Sequence, residues 1–113
     1  ARVSYETIGE LSNLSPAVEL TLYRVAQEAL TNARKHAPGS PVALSLRTTA
    51  DRLRVVVRNR LADLAQPDRS GSGLGLVGIA ERVDLVGGDL SHGIEGEEFI
   101  LKATLPYTPE GTA

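Results

Sequence analysis

The spacing of apolar residues changes along the chain, and each change predicts a different element. Residues 3–9 alternate weakly between apolar and polar positions, which predicts an edge strand. Between Ser15 and His36 apolar residues recur every three or four positions, which predicts a helix with one buried stripe. Ser15 suits the N-cap and Pro16 the first helical position, and the pair at 38–39 ends the helix. The predicted stripe comprises Val18, Leu22, Val25, Ala29 and Ala33.

Two predicted strands follow, over residues 42–48 and 52–60. The second has two faces of different chemistry, because successive side chains of a strand point to opposite sides. One face is apolar apart from Asn59 and should meet helices, whereas the other carries four arginines. We expect the arginine face to meet water, with an acidic docking partner as the alternative. A sheet with one solvated face favours an antiparallel or mixed arrangement.

The second half of the chain begins with a polar segment, 62–72, which we expect to be a mobile loop. A helix is predicted from about Leu76 to Leu85, ending at two glycines, and strands are predicted at 89–93 and 97–105. Residues 107–113 are expected to form a disordered tail. The predicted order β–α–β–β–α–β–β gives an α+β fold. It is a two-layer sandwich over residues 1–106, with helices on one face of a mixed, mostly antiparallel sheet.

Composition narrows the possible chemistry. The 113 residues include no cysteine, which excludes disulfides, thiolate metal sites and cysteine nucleophiles, and two histidines cannot form a multi-histidine metal site. A net charge of −2 and few aromatic residues argue against nucleic acid and anionic membranes as partners. No uncharged apolar run approaches the roughly 20 residues of a membrane-spanning helix. The chain does not begin with Met, which suggests a domain of a longer protein.

A polar stripe on the first helix is one candidate site. Glu28, Asn32 and His36 are spaced four residues apart, so they are neighbours on one helix face, with Lys35 beside them. The amide oxygen of Asn32 can ligate a hard cation, Lys35 can neutralise phosphate, and Glu28 can orient a water or act as a general base. The row therefore suits a phosphate–magnesium site. Its alternative is a solvated helix face with no function.

A glycine-rich segment, GSGLGLVG at residues 71–78, is a second candidate. Glycines allow backbone N–H groups to approach phosphates, and the N-terminus of the following helix favours anions. Residues 73–78 also match the dinucleotide pattern G-x-G-x-x-G, but that pattern requires a buried strand directly before it. The polar segment 62–72 precedes it here, so we reject a dinucleotide fold. A flexible loop without a ligand is the other alternative.

Together, these segments resemble the ATP-binding domain of bacterial sensor histidine kinases, which shares a superfamily with gyrase B, the heat-shock ATPase chaperone and mismatch-repair ATPases. The sequence LYRVAQEALTNARKHA at 22–37 is similar to the N box of that family, and GLGLVGIAERV at 73–83 to its second glycine box. The nearest likeness is to short-lidded kinases that phosphorylate regulators with helix-turn-helix output domains. The resemblance covers about residues 3–106.

This resemblance implies ATP and Mg²⁺ as ligands. It assigns Asn32 and Glu28 as the catalytic groups, with Asn32 as the metal ligand and Glu28 acting on the metal and its water. Lys35 and His36 would contact the phosphates or ribose, and Asn59 would face the adenine amino group. The second glycine box, with Gly73, Leu74, Gly75, Leu76 and Val77, would form the phosphate cradle and the lid side of the site.

Two departures from the family pattern affect the expected nucleotide affinity. The first glycine box, Asp-x-Gly-x-Gly, is replaced by NRLAD at 59–63, so that a neutral amide stands where an aspartate would accept a bond from adenine. Charge-assisted hydrogen bonds are about twice as strong as neutral ones. The usual Gly-Thr before the last strand is replaced at 96–98. We expect weakened or altered nucleotide binding.

The resemblance also implies partners. These are a separate helical hairpin, which dimerises and carries the phosphoacceptor histidine, and a response regulator. We expect a cytoplasmic, monomeric domain that does not phosphorylate itself. Two alternatives keep the fold: a degenerate nucleotide-binding or protein-docking module, and a serine kinase of the anti-sigma-factor type.

Overall fold

The computed structural model describes residues 3–9, 14–36, 39–60 and 72–107. Within these ranges the chain forms five strands and two helices in the predicted order. The elements are β1 (Val3–Ile8), α1 (Pro16–His36), β2 (Val42–Thr48), β3 (Arg52–Arg60), α2 (Ser72–Leu85), β4 (Asp89–Glu95) and β5 (Glu98–Pro106).

The five strands form one mixed sheet in the order β1-β2-β3-β5-β4. β1 runs parallel to β2, and the other neighbouring pairs are antiparallel. The predicted α+β architecture with a mixed, mostly antiparallel sheet is therefore confirmed. The weakly alternating segment at the start of the chain is an edge strand, as its pattern predicts.

Helix α1 begins where the sequence predicts and buries the predicted stripe against the sheet. The Val18 amide donates to the Ser15 hydroxyl oxygen at 3.2 Å, which caps the first turn. Four of the five predicted positions are buried, whereas Leu22 is only half-buried at the margin of the core. The prediction missed Thr21 and Asn32, which are both buried on the same side of α1. Thr21 is satisfied locally, since its hydroxyl donates to the Ala17 carbonyl at 2.9 Å.

Strand β3 has the two faces that its sequence predicts. Leu53, Val55 and Val57 are buried in the core, while the four arginines of the opposite face are exposed. Two of them form ion pairs across the sheet with β5 and the turn before it, Arg58 with Glu98 at 3.3 Å and Arg60 with Glu97. The helices therefore lie on one face of the sheet and the charged residues on the other.

Helix α2 begins at Ser72, four residues before the predicted start at Leu76. The prediction was wrong because each glycine costs a helix about 1 kcal/mol relative to alanine, so the segment looks non-helical by propensity. Packing of Leu76, Ile79 and Val83 into the core fixes the helix, and propensity is routinely overridden by such contacts. The rest of the expected polar loop, residues 62–71, lies outside the described residues.

The residues that flank the β4–β5 hairpin on both sides pack closely against the rest of the domain. A Cβ at Gly88, between α2 and β4, would lie 2.3 Å from the Thr104 carbonyl oxygen, so only glycine allows this approach. Tyr107, which the sequence assigns to the tail, is buried, and its amide donates to the Asp51 carbonyl at 3.0 Å. Tyr107 therefore belongs to the folded domain, while 108–113 lie outside the described residues. Neither described helix is long and apolar enough to cross a membrane.

Candidate functional site

The strand register brings three polar segments to the same end of the sheet. Asn59, the penultimate residue of β3, pairs with Val42, the first residue of β2. Val42 follows the C-terminus of α1 by only six residues, so the last turns of α1 lie at this end. The C-terminus of α2 lies at the opposite end, where Gly88 approaches Thr104, so the N-terminus of α2 also points to the Asn59 end. We call this end of the helix-facing side the polar end.

Asn32 supplies a buried acceptor at the polar end. Its side chain is 3% exposed. Among the described residues, its Oδ1 is the one buried side-chain nitrogen or oxygen with no hydrogen-bond partner. An unsatisfied buried acceptor costs about 1–3 kcal/mol, so it calls for a ligand or another specific explanation. The structure therefore supports the sequence interpretation that Asn32 is a ligand rather than part of a solvated face.

The other members of the stripe are more open. Glu28 is half-buried and Lys35 is exposed, and neither forms an ion pair within the described part of the chain. The His36 backbone ends α1, but its side chain lies outside the description. The Glu28 carboxylate and the Lys35 ammonium, which have no ion-pair partner among the described residues, are therefore available to a ligand.

Asn59 gives the polar end a second buried amide. It is 4% exposed, and it continues the buried face of β3 beyond Val57. The described residues provide no hydrogen bond to its side chain. Asn59 and Asn32 thus share a chemistry: each is a nearly buried amide whose side chain forms no hydrogen bond with the described residues.

The glycine-rich segment meets the polar end as the first turn of α2 rather than as a loop. Gly73, Leu74 and Gly75 are helical, and nothing further is described of their side chains. Free N–H groups at a helix N-terminus bind anions, and this one lies at the same end of the fold as Asn32 and Asn59. The two remaining candidate residues of this segment differ in environment, since Leu76 is buried in the core whereas Val77 is 56% exposed. Leu76 therefore packs α2 against the core.

Sequence reasoning missed three residues that complete this end of the sheet. Asn59 pairs with Phe99 of β5, and Phe99 in turn pairs with Ile94 of β4. Phe99 packs against the core, and its ring centroid lies 6.0 Å from that of His92. Ile94 is 58% exposed although it lies on the helix-facing side. The signal was available in the alternation of β4 and β5, but only the register shows that Phe99 lies next to Asn59 and that Ile94 lies one strand further along the same row.

The donor set fits magnesium held mainly by a ligand's phosphates. Within the described ranges no three His, Asp or Glu side chains cluster as a metal site. Magnesium typically takes one or two protein oxygens and completes its shell with phosphates and water. The orphaned Asn32 Oδ1 is one such oxygen, and Glu28 on the same helix face is a second group within the stripe.

Comparison with known proteins agrees with this geometry. A family model described as "Histidine kinase-, DNA gyrase B-, and HSP90-like ATPase" matches residues 17–109. The chain is 34% identical over 88 residues to the signal transduction histidine-protein kinase/phosphatase DegS of Brevibacillus brevis, covering 78% of this chain and 23% of DegS. It is 40% identical over 78 residues to UhpB of Salmonella typhimurium, a protein of the same description, covering 69% and 15%. The chain thus spans less than a quarter of these relatives.

Solved structures share the fold at lower sequence identity. The catalytic domain of the histidine kinase ThkA superposes with a TM-score of 0.77 at 18% identity, covering 96% of this chain and 81% of that one. Full-length ShkA in complex with AMPPNP gives a TM-score of 0.77 at 19% identity, covering 95% of this chain and 26% of that one. These likenesses concern the arrangement of helices and sheet.

Proposed function

Because the chain belongs to the family of histidine kinase-, DNA gyrase B- and HSP90-like ATPases, we propose that it is the ATP-binding catalytic domain of a sensor histidine kinase. The observation that carries the proposal is the orphaned Oδ1 of Asn32. It lies within the segment that resembles the N box and at the end of the sheet where α2 begins. The similarity to DegS, whose name describes a histidine kinase, supports the same activity here.

In this proposal each group at the polar end binds a different part of the nucleotide. Asn32 would hold Mg²⁺ through Oδ1, with Glu28 orienting the metal and its water, and bound Mg²⁺ neutralises phosphate charge. Lys35 and His36 would contact the phosphates or ribose. Asn59 would receive the base, and the first turn of α2, with Gly73, Gly75 and Leu74, would receive phosphate oxygens at its N–H groups. Val77 would contribute from the exposed side of α2.

Catalysis at such a site consists mainly of positioning and charge stabilisation. The γ-phosphoryl bond to ADP breaks and a bond to a histidine nitrogen forms, with ADP as the leaving group. The chain's own residues hold the triphosphate in line and stabilise its charge. The accepting histidine would belong to a helical-hairpin dimerisation domain, and a response regulator would take the phosphoryl group next. The domain would work in the cytoplasm as a monomer, with no nucleic acid and no membrane contact of its own.

Calorimetric titration of the chain with ATP and ADP, with magnesium and with EDTA, tests this proposal. We expect binding that requires magnesium and is lost on Asn32→Ala. Gln27→Ala is the matched control, because Gln27 is an exposed amide on the other side of the same helix. A melting scan should show about 2.7 kcal/mol of stabilisation at a hundredfold excess of nucleotide over its dissociation constant.

The same titration decides between the kinase and a nucleotide-free docking module. The docking module is favoured by the neutral Asn59, which replaces a charged acceptor at a buried position. Absence of binding up to millimolar nucleotide, for the native chain and for Asn59→Asp alike, would reject the kinase proposal. Binding that Asn32→Ala and Gln27→Ala weaken equally would contradict the role of Asn32.

A further inference from the structure

Asn59 lies in a row of side chains that crosses four strands on the helix-facing side. The register places Val42, Asn59, Phe99 and Ile94 side by side on β2, β3, β5 and β4. The row contains one polar side chain between apolar neighbours on both sides. Ile94 remains 58% exposed. An apolar floor with a single hydrogen-bonding group is the pattern of a site for a flat heteroaromatic ring, because such sites are mainly apolar with a few placed polar groups.

The described residues leave the hydrogen-bonding capacity of the Asn59 side chain unused. An amide side chain carries an acceptor oxygen and a donor nitrogen, whereas an ionised carboxylate accepts only. The terminal torsion of Asn is broad and roughly two-fold, so the oxygen and nitrogen can exchange places. None of the described residues makes a hydrogen bond that would fix one of the two orientations.

These two facts determine which ring edges the site can accept. A carboxylate at position 59 would accept from an exocyclic amino group and would repel an exocyclic oxygen. An amide pairs with either edge: its oxygen accepts from an amino group, or after rotation its nitrogen donates to an oxo group. The energetic penalty that enforces base selection is an unpaired polar group in a buried site, and Asn59 avoids that penalty with both edges.

We propose that Asn59 relaxes the purine selectivity of this site, so that it binds 6-oxopurine nucleoside triphosphates about as well as ATP. The inference rests on the proposed nucleotide function and adds the class of base. Asn59 is the specificity-determining residue. Val42 and Phe99 flank it, and the half-buried Phe99 would supply apolar contact that does not depend on the substituent at C6.

ATP and inosine triphosphate form a matched ligand pair for the test, because their bases differ only along the C6–N1 edge. ATP has an amino group beside an acceptor N1, and inosine triphosphate has an oxo group beside an N1–H donor. Dissociation constants of both are measured by calorimetry with magnesium on the 113-residue chain, on Asn59→Asp and on Gln27→Glu. The ratio of the two constants cancels any general loss of affinity in a variant. Gln27→Glu makes the same amide-to-acid change at an exposed position of α1.

We expect inosine triphosphate to bind the native chain less than tenfold more weakly than ATP. In Asn59→Asp the ratio should rise by about tenfold or more, because the carboxylate that accepts from the C6 amino group of ATP would face the C6 oxygen of inosine triphosphate unless the ring shifts toward its N1–H. In Gln27→Glu the ratio should stay unchanged. If ATP binds and the native ratio is tenfold or greater, or if Asn59→Asp leaves the ratio unchanged, the inference is wrong while the nucleotide function stands. If neither triphosphate binds, both fail together.

Discussion

Asn32 gives more information about the candidate site than any other single residue, because its amide oxygen is buried where the described residues offer it no hydrogen-bond partner. The helical spacing of Glu28, Asn32 and His36 predicts a polar row, but spacing cannot distinguish a ligand from a solvated residue. Burial makes that distinction, since a 97%-hidden acceptor without a hydrogen bond lowers stability unless a ligand binds. Such a cost at one residue is typical of sites selected for function rather than stability.

Replacing Asn32 with leucine tests that cost directly. Leucine is close in shape and has no polar atom, so removal of the orphaned acceptor should raise the free energy of unfolding of the ligand-free chain by about 1 kcal/mol. Chemical denaturation without nucleotide measures this gain, and the variant should show no further stabilisation by magnesium and ATP. Val25→Ala, which creates a cavity where the same helix packs on the core, is the control, and its free energy of unfolding should fall by about 2 kcal/mol. A marked loss of stability in Asn32→Leu would mean that the oxygen is already satisfied in the native chain.

The surroundings of Asn59 at the polar end show the limit of residue-by-residue prediction. Asn59 could be singled out from the sequence, because it interrupts an apolar face of β3. Phe99 and Ile94 could not be joined to it, since their adjacency depends on β5 lying between β3 and β4. Pairing of strands distant in the sequence is decided by packing of the whole sheet, which no local pattern contains.

At the level of elements, the sequence predicts most of the fold because several local signals agree. Ser15 and Pro16 mark the start of α1, and the alternation in β3 marks its two faces. The start of α2 was misplaced for the opposite reason, since the glycines at 73 and 75 oppose helix formation while tertiary packing supports it. The side of the sheet that the helices cover could be predicted from the sequence. That the C-terminus of α1 and the N-terminus of α2 lie at the same end as Asn59 could be seen only from the strand order.

The outer face of the sheet places two positive charges directly opposite each other, which should lower the free energy of unfolding. Arg47 of β2 pairs directly with Arg54 of β3, and neither guanidinium has an acidic partner among the described residues. Arg58 on the same face is paired with Glu98 at 3.3 Å. Like charges directly opposite each other on antiparallel strands are destabilising, whereas opposite charges stabilise.

We therefore expect Arg54→Gln to raise the free energy of unfolding by about 0.2–1 kcal/mol at low salt. The gain should largely disappear at about 1 M salt, where the screening length falls to roughly 3 Å. Arg58→Gln is the matched control on the same strand, and it should leave stability unchanged or lower it slightly. Urea denaturation at the two salt concentrations measures both variants. A gain of equal size in Arg58→Gln would show that net charge, not the Arg47–Arg54 pair, is responsible.

At the scale of the whole molecule, the architecture determines the end of the fold at which the candidate site lies. The sheet covers one side of both helices, and the polar end is formed by the ends of α1, β3 and α2. In the proposed function, a second domain must approach this end.

The proposed division of labour predicts how phosphate moves between domains. With γ-labelled ATP and magnesium, the chain alone should acquire no label, because His92 lies on strand β4 beside Phe99 and the proposed function assigns His36, the last residue of α1, to nucleotide binding. Adding the separate phosphoacceptor hairpin that the proposed function requires should transfer label to that hairpin, and Asn32→Ala should abolish the transfer while Gln27→Ala preserves it. The label should be stable to base and lost in acid, as a phosphorus–nitrogen bond requires. Acid-stable label on the hairpin, or any label on the chain alone, would indicate hydroxyl phosphorylation or self-modification and would contradict a histidine kinase that acts on a separate domain.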